Sequence, residues 1–358
     1  MNIFIYTKYK VNNDLYLNDH LPAGFRLRIL NGLVKQVAKS RQHWQIIYVS
    51  NFLDFIYVLL NLRFSRKTSH STRNFLIIHK SVRIESLLLI YASRILRFSI
   101  IFDICDVPYA SIDSFSSYHG LAKAFILSLQ CNLSTLITTS SQSLKRSFIN
   151  NAVFIPDTND APNERPLRKQ NKLCQNFNVL WFGSAGSVSQ SFGLIELINS
   201  KDDLLKAAES FTIHLFICTN FTTLAKDLRE LANSFLGELR NSGITCSVVE
   251  WSTQALTNLF SFVDLCYLPT LSSLKTFTKS ANRALYSLQN GVPTLVGYRD
   301  CYTALRGLRD FYSGQSLSDT LALLQHQNHA HIPANQLLQM DTAIVNESLK
   351  WVSLLEQI

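Results

Sequence analysis

Charge is scarce in this chain, and so are the residues that mark several protein classes. Only 16% of the 358 residues are charged, and there are two methionines, eight prolines and twelve glycines. So little proline and glycine excludes a collagen-like or low-complexity chain, and 47% hydrophobic content excludes a disordered one. The seven cysteines, Cys105, Cys131, Cys174, Cys218, Cys246, Cys266 and Cys301, include no Cys-x-x-Cys pair. Set singly, several of them in apolar runs, they read as reduced core thiols of a cytosolic protein. P-loop, Gly-x-Ser-x-Gly and His-Glu-x-x-His patterns are missing. No Gly-x-Gly-x-x-Gly follows the first strand-like run, which counts against a nicotinamide dehydrogenase. The longest apolar run, residues 52–62, contains Asp54 and Asn61 and is too short to span a bilayer. The start, MNIFIYTKYK, has no basic leader ahead of an apolar run, so no signal peptide is expected.

The charge that is present is unevenly placed. Residues 1–170 carry 21 Lys and Arg against 10 Asp and Glu, a net of +11; residues 171–358 carry 13 against 15, a net of −2. A basic first half and a near-neutral second half suggest two domains with different partners. The basic half suits an anionic membrane face, a phosphorylated lipid or nucleic acid, or is a basic surface with no specific partner. Its cations form no stripe interleaved with aromatics, so nucleic acid is not the expected partner.

Strand-like and helix-like segments alternate along both halves. Residues 2–6, 45–50, 75–79, 98–104, 134–140 and 153–155 read as strands, with helices near 22–40, 83–96 and 121–131 and from 141. Residues 52–62 read as helical or buried. The polar, proline-bearing stretch 157–175 lacks any apolar period and reads as a linker. Beyond it, strands are expected at 178–183, 211–218, 244–250, 263–269 and 293–297. Helices are expected near 190–207, 221–240, 254–261, 280–290, 300–308 and 316–327, with a terminal helix within 335–358. The alternation predicts an α/β protein of two Rossmann-like, doubly wound domains. Residues 1–157 form the first domain, 158–176 the linker and 177–334 the second, and a C-terminal helix in 335–358 packs back on the first. Ligands of such sheets bind beyond the carboxyl ends of the strands, and a cleft between two such domains is the default site.

One helix start is unusual. Lys279-Ser280-Ala281-Asn282-Arg283 sets two cations four residues apart where helix dipoles favour acids. Ser280 suits an N-cap. Either the start is simply solvated, or an anion such as a diphosphate sits between the cations and the free N–H groups. Gly183 and Gly186 let backbone approach a ligand or only make a strand-to-helix turn. Ser184 reads as a phosphate ligand or a turn cap, and Trp251 as a nucleobase contact or a partly buried loop aromatic. Asp103 and Asp106 flank a strand end, where one orients an acceptor hydroxyl or acts as a base, or where they cap a surface turn. His326, His329 and His331 lack metal-ligand spacing, so no metal site is expected.

The run from Lys279, K-S-x-N-R followed by G-x-P-T-x-V, resembles the donor site of GT-B glycosyltransferases of the bacterial group 1 (family 4) class. Further segments resemble that class in order: FLIIHK (75–80), IIFDICDVPY (100–109), LITTSSQSLKRSF (136–148), FIPDTND (154–160), VLWFGSAG (179–186) and VEWSTQALTNLFSFVDLCYLP (249–269). DHLPAGFRLRIL (19–30) resembles the loop and helix start after the first strand of the class. The resemblance implies a GT-B fold, two Rossmann-like domains facing across a cleft. It implies sugar transfer, without metal or cofactor and with retention at the anomeric carbon, from a nucleotide-diphosphate sugar to a saccharide or polyprenyl-linked acceptor, in surface polysaccharide or lipopolysaccharide synthesis. Gly183, Ser184, Gly186, Trp251, Lys279, Ser280, Asn282 and Arg283 would bind the donor. Asp103, Asp106 and His20 would be the catalytic candidates, and Gly24, Arg26 and Lys80 would form an acceptor or phosphate rim. The class commonly has two glutamates in the donor segment, where this chain has Thr278 and Tyr286, and an Arg and a Lys that GSAGSVSQSFG lacks. The resemblance is therefore to a divergent branch, with Lys279 and Arg283 supplying the diphosphate charge. A sugar-nucleotide epimerase and a non-catalytic GT-B-like binding protein are the rival readings. The expected location is the cytoplasm, with peripheral contact at the inner face of the membrane open to the basic half.

Overall fold

The run NIFIY has no polar alternation, and in the computed structural model it forms a strand whose every residue is buried. Strands of this kind belong inside a parallel sheet covered on both faces. The structure describes residues 1–7, 11, 26–40, 44–65, 73–105, 118–141, 145, 152–155, 157, 175–187, 192–270, 281–297, 302, 305, 311–327 and 350–358. The chain divides into two compact units, each built on one six-stranded parallel sheet.

The first sheet holds β1 (Asn2–Tyr6), β2 (Gln45–Val49), β3 (Asn74–His79), β4 (Ser99–Ile104), β5 (Leu136–Thr139) and β6 (Ala152–Phe154). Their order is β2-β1-β3-β4-β5-β6. Successive residues point to opposite faces, so one sheet feeds two cores. Ile3, Ile5, Phe75, Ile77 and Ile101 feed one core, together with Ile29, Leu30 and Leu33 of a π-helical segment, Arg26–Val34. That segment runs into α1 (Lys35–Lys39), and the C-terminal helix Lys350–Gln357 closes the same core with Trp351, Leu354 and Leu355. Phe4, Leu76, Ile78, Ile100 and Phe102 feed the other core. It is covered by α2 (Phe52–Ser65), α3 (Ile84–Ile95) and α4 (Tyr118–Leu133).

The second sheet begins with β7 (Asn176–Phe182). A small antiparallel hairpin follows, β8 (Gly186–Ser187) with β9 (Phe192–Gly193). Then come α5 (Leu194–Asn199), α6 (Lys201–Ala208), β10 (Thr212–Thr219), α7 (Lys226–Asn241), β11 (Thr245–Glu250), α8 (Thr253–Phe260) and β12 (Leu265–Leu268). α9 (Asn282–Gln289), β13 (Thr294–Val296), β14 (Phe311–Ser313) and α10 (Leu317–Gln327) complete the unit, and the C-terminal helix of the first unit is α11. The order β11-β10-β7-β12-β13-β14 reverses direction at β7, so the sheet has its topological switch point between β7 and β12. Tyr267 on β12 donates to Asp203 on α6 at 2.7 Å, and the same carboxylate accepts the Leu317 N–H that opens α10. One carboxylate thereby holds a strand and two helices together.

Three details differ from the sequence expectation. The helix expected at 190–207 is two helices with a hairpin ahead of them. It breaks at Ser200, whose hydroxyl donates back to the Leu197 carbonyl at 2.8 Å while its own carbonyl accepts from Asp203 N–H. The sheet also gains β14, too short a run to stand out by composition. The helix expected near 22–40 opens as a π-helical segment. Nearly all of the expected linker, and most of the helix expected at 300–308, lie outside the described residues.

All five described cysteines are free thiols. Burial pushes Cys131 and Cys218 up to about 11. A thiol so raised is almost wholly protonated, hence unreactive, at about pH 8. Iodoacetamide at that pH should leave both unmodified in the native protein and label both in urea, as read by peptide mass spectrometry.

Candidate functional site

At the carboxyl edge of the second sheet, the strand ends are bonded to one another in sequence. Gly183 N–H donates to the Cys218 carbonyl at 3.2 Å, and Thr219 Oγ1 donates to the Gly183 carbonyl at 2.8 Å. Trp251 N–H donates to the Thr219 carbonyl at 3.0 Å. Gly183 and Trp251, the first residues beyond β7 and β11, are thus joined through Thr219, the last residue of β10, into one continuous rim. The Glu250 carboxylate accepts from Thr222 N–H and Oγ1.

Arg283, in the first turn of α9, reaches across the switch point to this rim. Nη1 donates to the Phe182 carbonyl at 3.3 Å and Nη2 donates to Glu196 Oε2 at 3.3 Å. The guanidinium also lies over the buried Trp181 ring, 6.0 Å from its centroid. A Cβ on Gly183 would stand 2.9 Å from Nη1, so a side chain there would push the guanidinium off the strand end. Glycine at 183 is thereby explained by a close approach, not by backbone conformation.

Glu196 is buried, with 1% of its side chain exposed against 24% for Arg283. Its Oε2 also accepts the Gly193 N–H that precedes α5, at 3.3 Å. Gly193 has φ of +81°, and a Cβ there would collide with the Ser184 and Ala185 carbonyls. The hairpin therefore requires glycine at 193 on both counts. Gly186, at φ +70°, donates its N–H to Ser184 Oγ at 3.3 Å, so Ser184 acts locally as a turn cap. Of five N–H donors on a guanidinium, Arg283 commits two to these partners. It is partly exposed, and the remaining donors are those an anion would meet.

Tyr286 lies one turn further along α9, buried against Phe182 and Phe260. Its ring fills an aromatic cluster where a carboxylate would face apolar walls. The acid that the tertiary structure does bring to Arg283 is Glu196, which sequence reasoning did not single out. Its signal was the spacing Gly193-x-x-Glu196, a glutamate at the third helical position whose carboxylate reaches back to the start of the helix. Asn282 opens α9 beside Arg283. Lys279 and Ser280 lie outside the described residues.

In the first unit, Asp103 is fully buried near the end of β4. Oδ2 lies 2.7 Å from His79 Nδ1 and Oδ1 accepts from Thr138 Oγ1 at 2.6 Å. Both oxygens are engaged within the sheet, so this carboxylate is not the cap of a surface turn. The side chain that Asp103 orients is His79, another residue the sequence did not mark. Cys105 Sγ lies 3.9 Å from the other ring nitrogen, Nε2. Lys80 turns the chain after β3 at φ +53°, its N–H donating to the Asp103 carbonyl at 2.9 Å. Arg26 begins the π-helical segment, while His20, Gly24 and Asp106 lie outside the described residues. Among the described residues no group of three His, Cys, Asp or Glu could hold a metal ion, and of the three histidines near 330 only His326 is described.

No protein-family profile and no curated protein matches the sequence. Solved structures do. One, described as trehalose-6-phosphate from E. coli bound with UDP-2-fluoro glucose, matches with a TM-score of 0.62 at 12% identity, covering 100% of this chain and 99% of that one. Sucrose-phosphate synthase from Thermosynechococcus elongatus gives 0.60 at 10% identity over 99% and 98% of the two chains. AviGT4, a glycosyltransferase involved in Avilamycin A biosynthesis, gives 0.55 at 9% identity over 98% and 96%. The chain has the GT-B fold. Sequence identity this low speaks for that fold alone, and the GT-B likeness extends over both sheets because the coverage is nearly complete.

Removing Arg283 would strand a buried carboxylate. Arg283→Ala should cost roughly 3 kcal/mol, the low end for a broken buried pair because the guanidinium is partly exposed. Glu196→Gln, which keeps an acceptor for Gly193 N–H, should cost only about 1 kcal/mol. Urea unfolding monitored by tryptophan fluorescence measures both. No loss in either variant would show that the ion pair is not what holds α9 to the hairpin.

Proposed function

We propose that the chain is a glycosyltransferase that moves a sugar from a nucleotide-diphosphate sugar to a saccharide or lipid-linked acceptor. The observation that carries this reading is the partly exposed Arg283 guanidinium at the switch point of the second sheet, beside a rim of glycine backbone and the free end of β7. Ligands of doubly wound sheets bind at such points. A fixed guanidinium suits a diphosphate because its planar fork matches phosphate oxygens. The likeness to a structure bound with UDP-2-fluoro glucose supports a nucleotide-diphosphate sugar as donor.

In this reading Arg283, with Lys279 and Ser280, holds the diphosphate and stabilises the charge that grows on it as the sugar leaves. Fixed cations then do the work that a metal ion does elsewhere. Glu196 keeps the guanidinium at the rim, Gly183 admits it, and Gly186, Ser184, Asn282 and Trp251 line the donor. In the first unit, His79, oriented by Asp103, serves the acceptor, with Asp106 and His20 as the other catalytic candidates and Gly24, Arg26 and Lys80 as the acceptor or phosphate rim. The acceptor is a growing surface polysaccharide or lipopolysaccharide, and the basic first half offers peripheral contact with the inner face of a membrane.

A thermal-shift screen against UDP-, GDP-, ADP- and CMP-sugars tests the donor. One nucleotide class should raise the melting temperature, and Lys279→Ala or Arg283→Lys should weaken its binding by about tenfold, the loss of a good part of one charge-assisted contact. Turnover of that donor without an acceptor would favour an epimerase instead. No shift with any nucleotide sugar would point to a binding protein that does no transfer.

A further inference from the structure

Large hydrophobic side chains left exposed are not spread over this protein. Ten of the twelve among the described residues lie on or beside α2, α3 and α4, three adjoining helices of the first unit. On α3, Ile84, Leu88, Tyr91 and Ile95 recur every three or four residues, which is one stripe of a helix. Leu53 and Tyr57 on α2, and Leu121 and Phe125 on α4, repeat the four-residue interval. These helices already bury a different face: Phe55, Leu89 and Leu127 pack into the core below. The outer stripe is therefore surplus to the fold. Exposures of 78% for Leu53, 71% for Ile95 and 65% for Phe125 put most of each side chain in water. An apolar surface of this extent marks an interaction site.

The charges around it decide what covers it. Arg83, Arg94 and Arg97 sit at the two ends of α3 and Lys123 sits on α4, all exposed, and none forms an ion pair among the described residues. The two acids on these helices are turned to their own chain. Asp54 accepts from Ser50 N–H and Oγ, and Glu85 accepts from the Tyr6 hydroxyl. The surface is thus apolar with uncompensated cations at its margins, on the half of the sequence that carries a net of +11. A second copy would bring the same cations against it. An anionic bilayer brings opposite charge to the margins and acyl chains to the centre. Tyr57 and Tyr91 pair an apolar ring with a polar tip, which suits a headgroup boundary. Among the described residues no helix is long and apolar enough to cross a membrane, so contact of this kind lies on the bilayer.

We infer that the outer face of α2, α3 and α4 is a docking surface for anionic lipid bilayers, with Leu88 and Tyr91 at its centre and Arg83, Arg94, Arg97 and Lys123 at its edges. This deepens the peripheral contact suggested above and rests on the first unit alone, so it holds or fails whatever the donor screen returns.

Flotation of the full chain with vesicles of phosphatidylglycerol and phosphatidylcholine, against vesicles of phosphatidylcholine only, tests it. Binding is expected to the anionic vesicles and to fall with added salt. Leu88→Glu with Tyr91→Glu should lower the partition at least about tenfold, since charge would replace apolar contact with the acyl region. Arg94→Glu with Lys123→Glu, which leaves the apolar stripe intact, should lower it by a similar factor. Both variants should keep the wild-type melting curve, because all four side chains are exposed. No vesicle binding by the wild-type chain overturns the inference. So does equal binding to neutral vesicles, or a dimer in light scattering that Leu88→Glu dissociates while vesicle binding persists.

Discussion

The ion pair between Glu196 and Arg283 joins two segments that the chain separates by most of a domain, and the carboxyl edge of the second sheet depends on it. Glu196 is fixed first by its own helix, through the Gly193 N–H. It then fixes Arg283, which caps the open carbonyl at the end of β7. Each partner removes a cost the other would otherwise carry: a carboxylate out of water, and a long flexible cation at a strand end. Gly183 and Gly193 are consequences of the same arrangement. The first leaves room for the guanidinium, and the second lets the hairpin close over its own carbonyls. A site assembled this way has its cation in place before any ligand arrives, which is the condition under which fixed charge is most effective.

The first unit solves the same problem with a different pair. Its sheet also ends in polar side chains among buried strands, and there Asp103 takes His79 and Thr138 as partners. Its helices differ as well. In the second unit α7 is one-sided, burying Leu228, Ala232, Phe235, Leu236 and Leu239. α2, α3 and α4 bury one apolar face and expose another. Two cores built on one architecture therefore present very different surfaces, one polar and near-neutral, one apolar and basic at its margins.

Much of the fold was legible because parallel strands buried on both faces leave an unmistakable trace, runs such as NIFIY and FLIIH bounded by polar turns. The expected strands at 2–6, 45–50, 75–79 and 98–104 coincide with β1 to β4 to within a residue or two. Short elements were lost. β14 and the hairpin of β8 and β9 are two or three residues long, and their existence depends on neighbours to pair with. The candidate site was half legible. Gly183, Trp251 and Arg283 stood out by type and position, whereas Glu196 and His79 are ordinary letters in apolar runs whose meaning lies in what they touch.

The sequence by itself determined the alternation of strand and helix, the division into a basic and a near-neutral half, and the odd pair of cations, Lys279 and Arg283. All of these follow from local pattern and composition, which need no knowledge of distant partners. Only the tertiary structure decided that Arg283 is shared with a buried acid, that Asp103 faces its own sheet, and that the apolar surplus of three helices converges on one face. Each of those depends on strand order and helix rotation. The hydrogen-bond ladder and the pleat set both, bringing together residues that the chain keeps tens of positions apart.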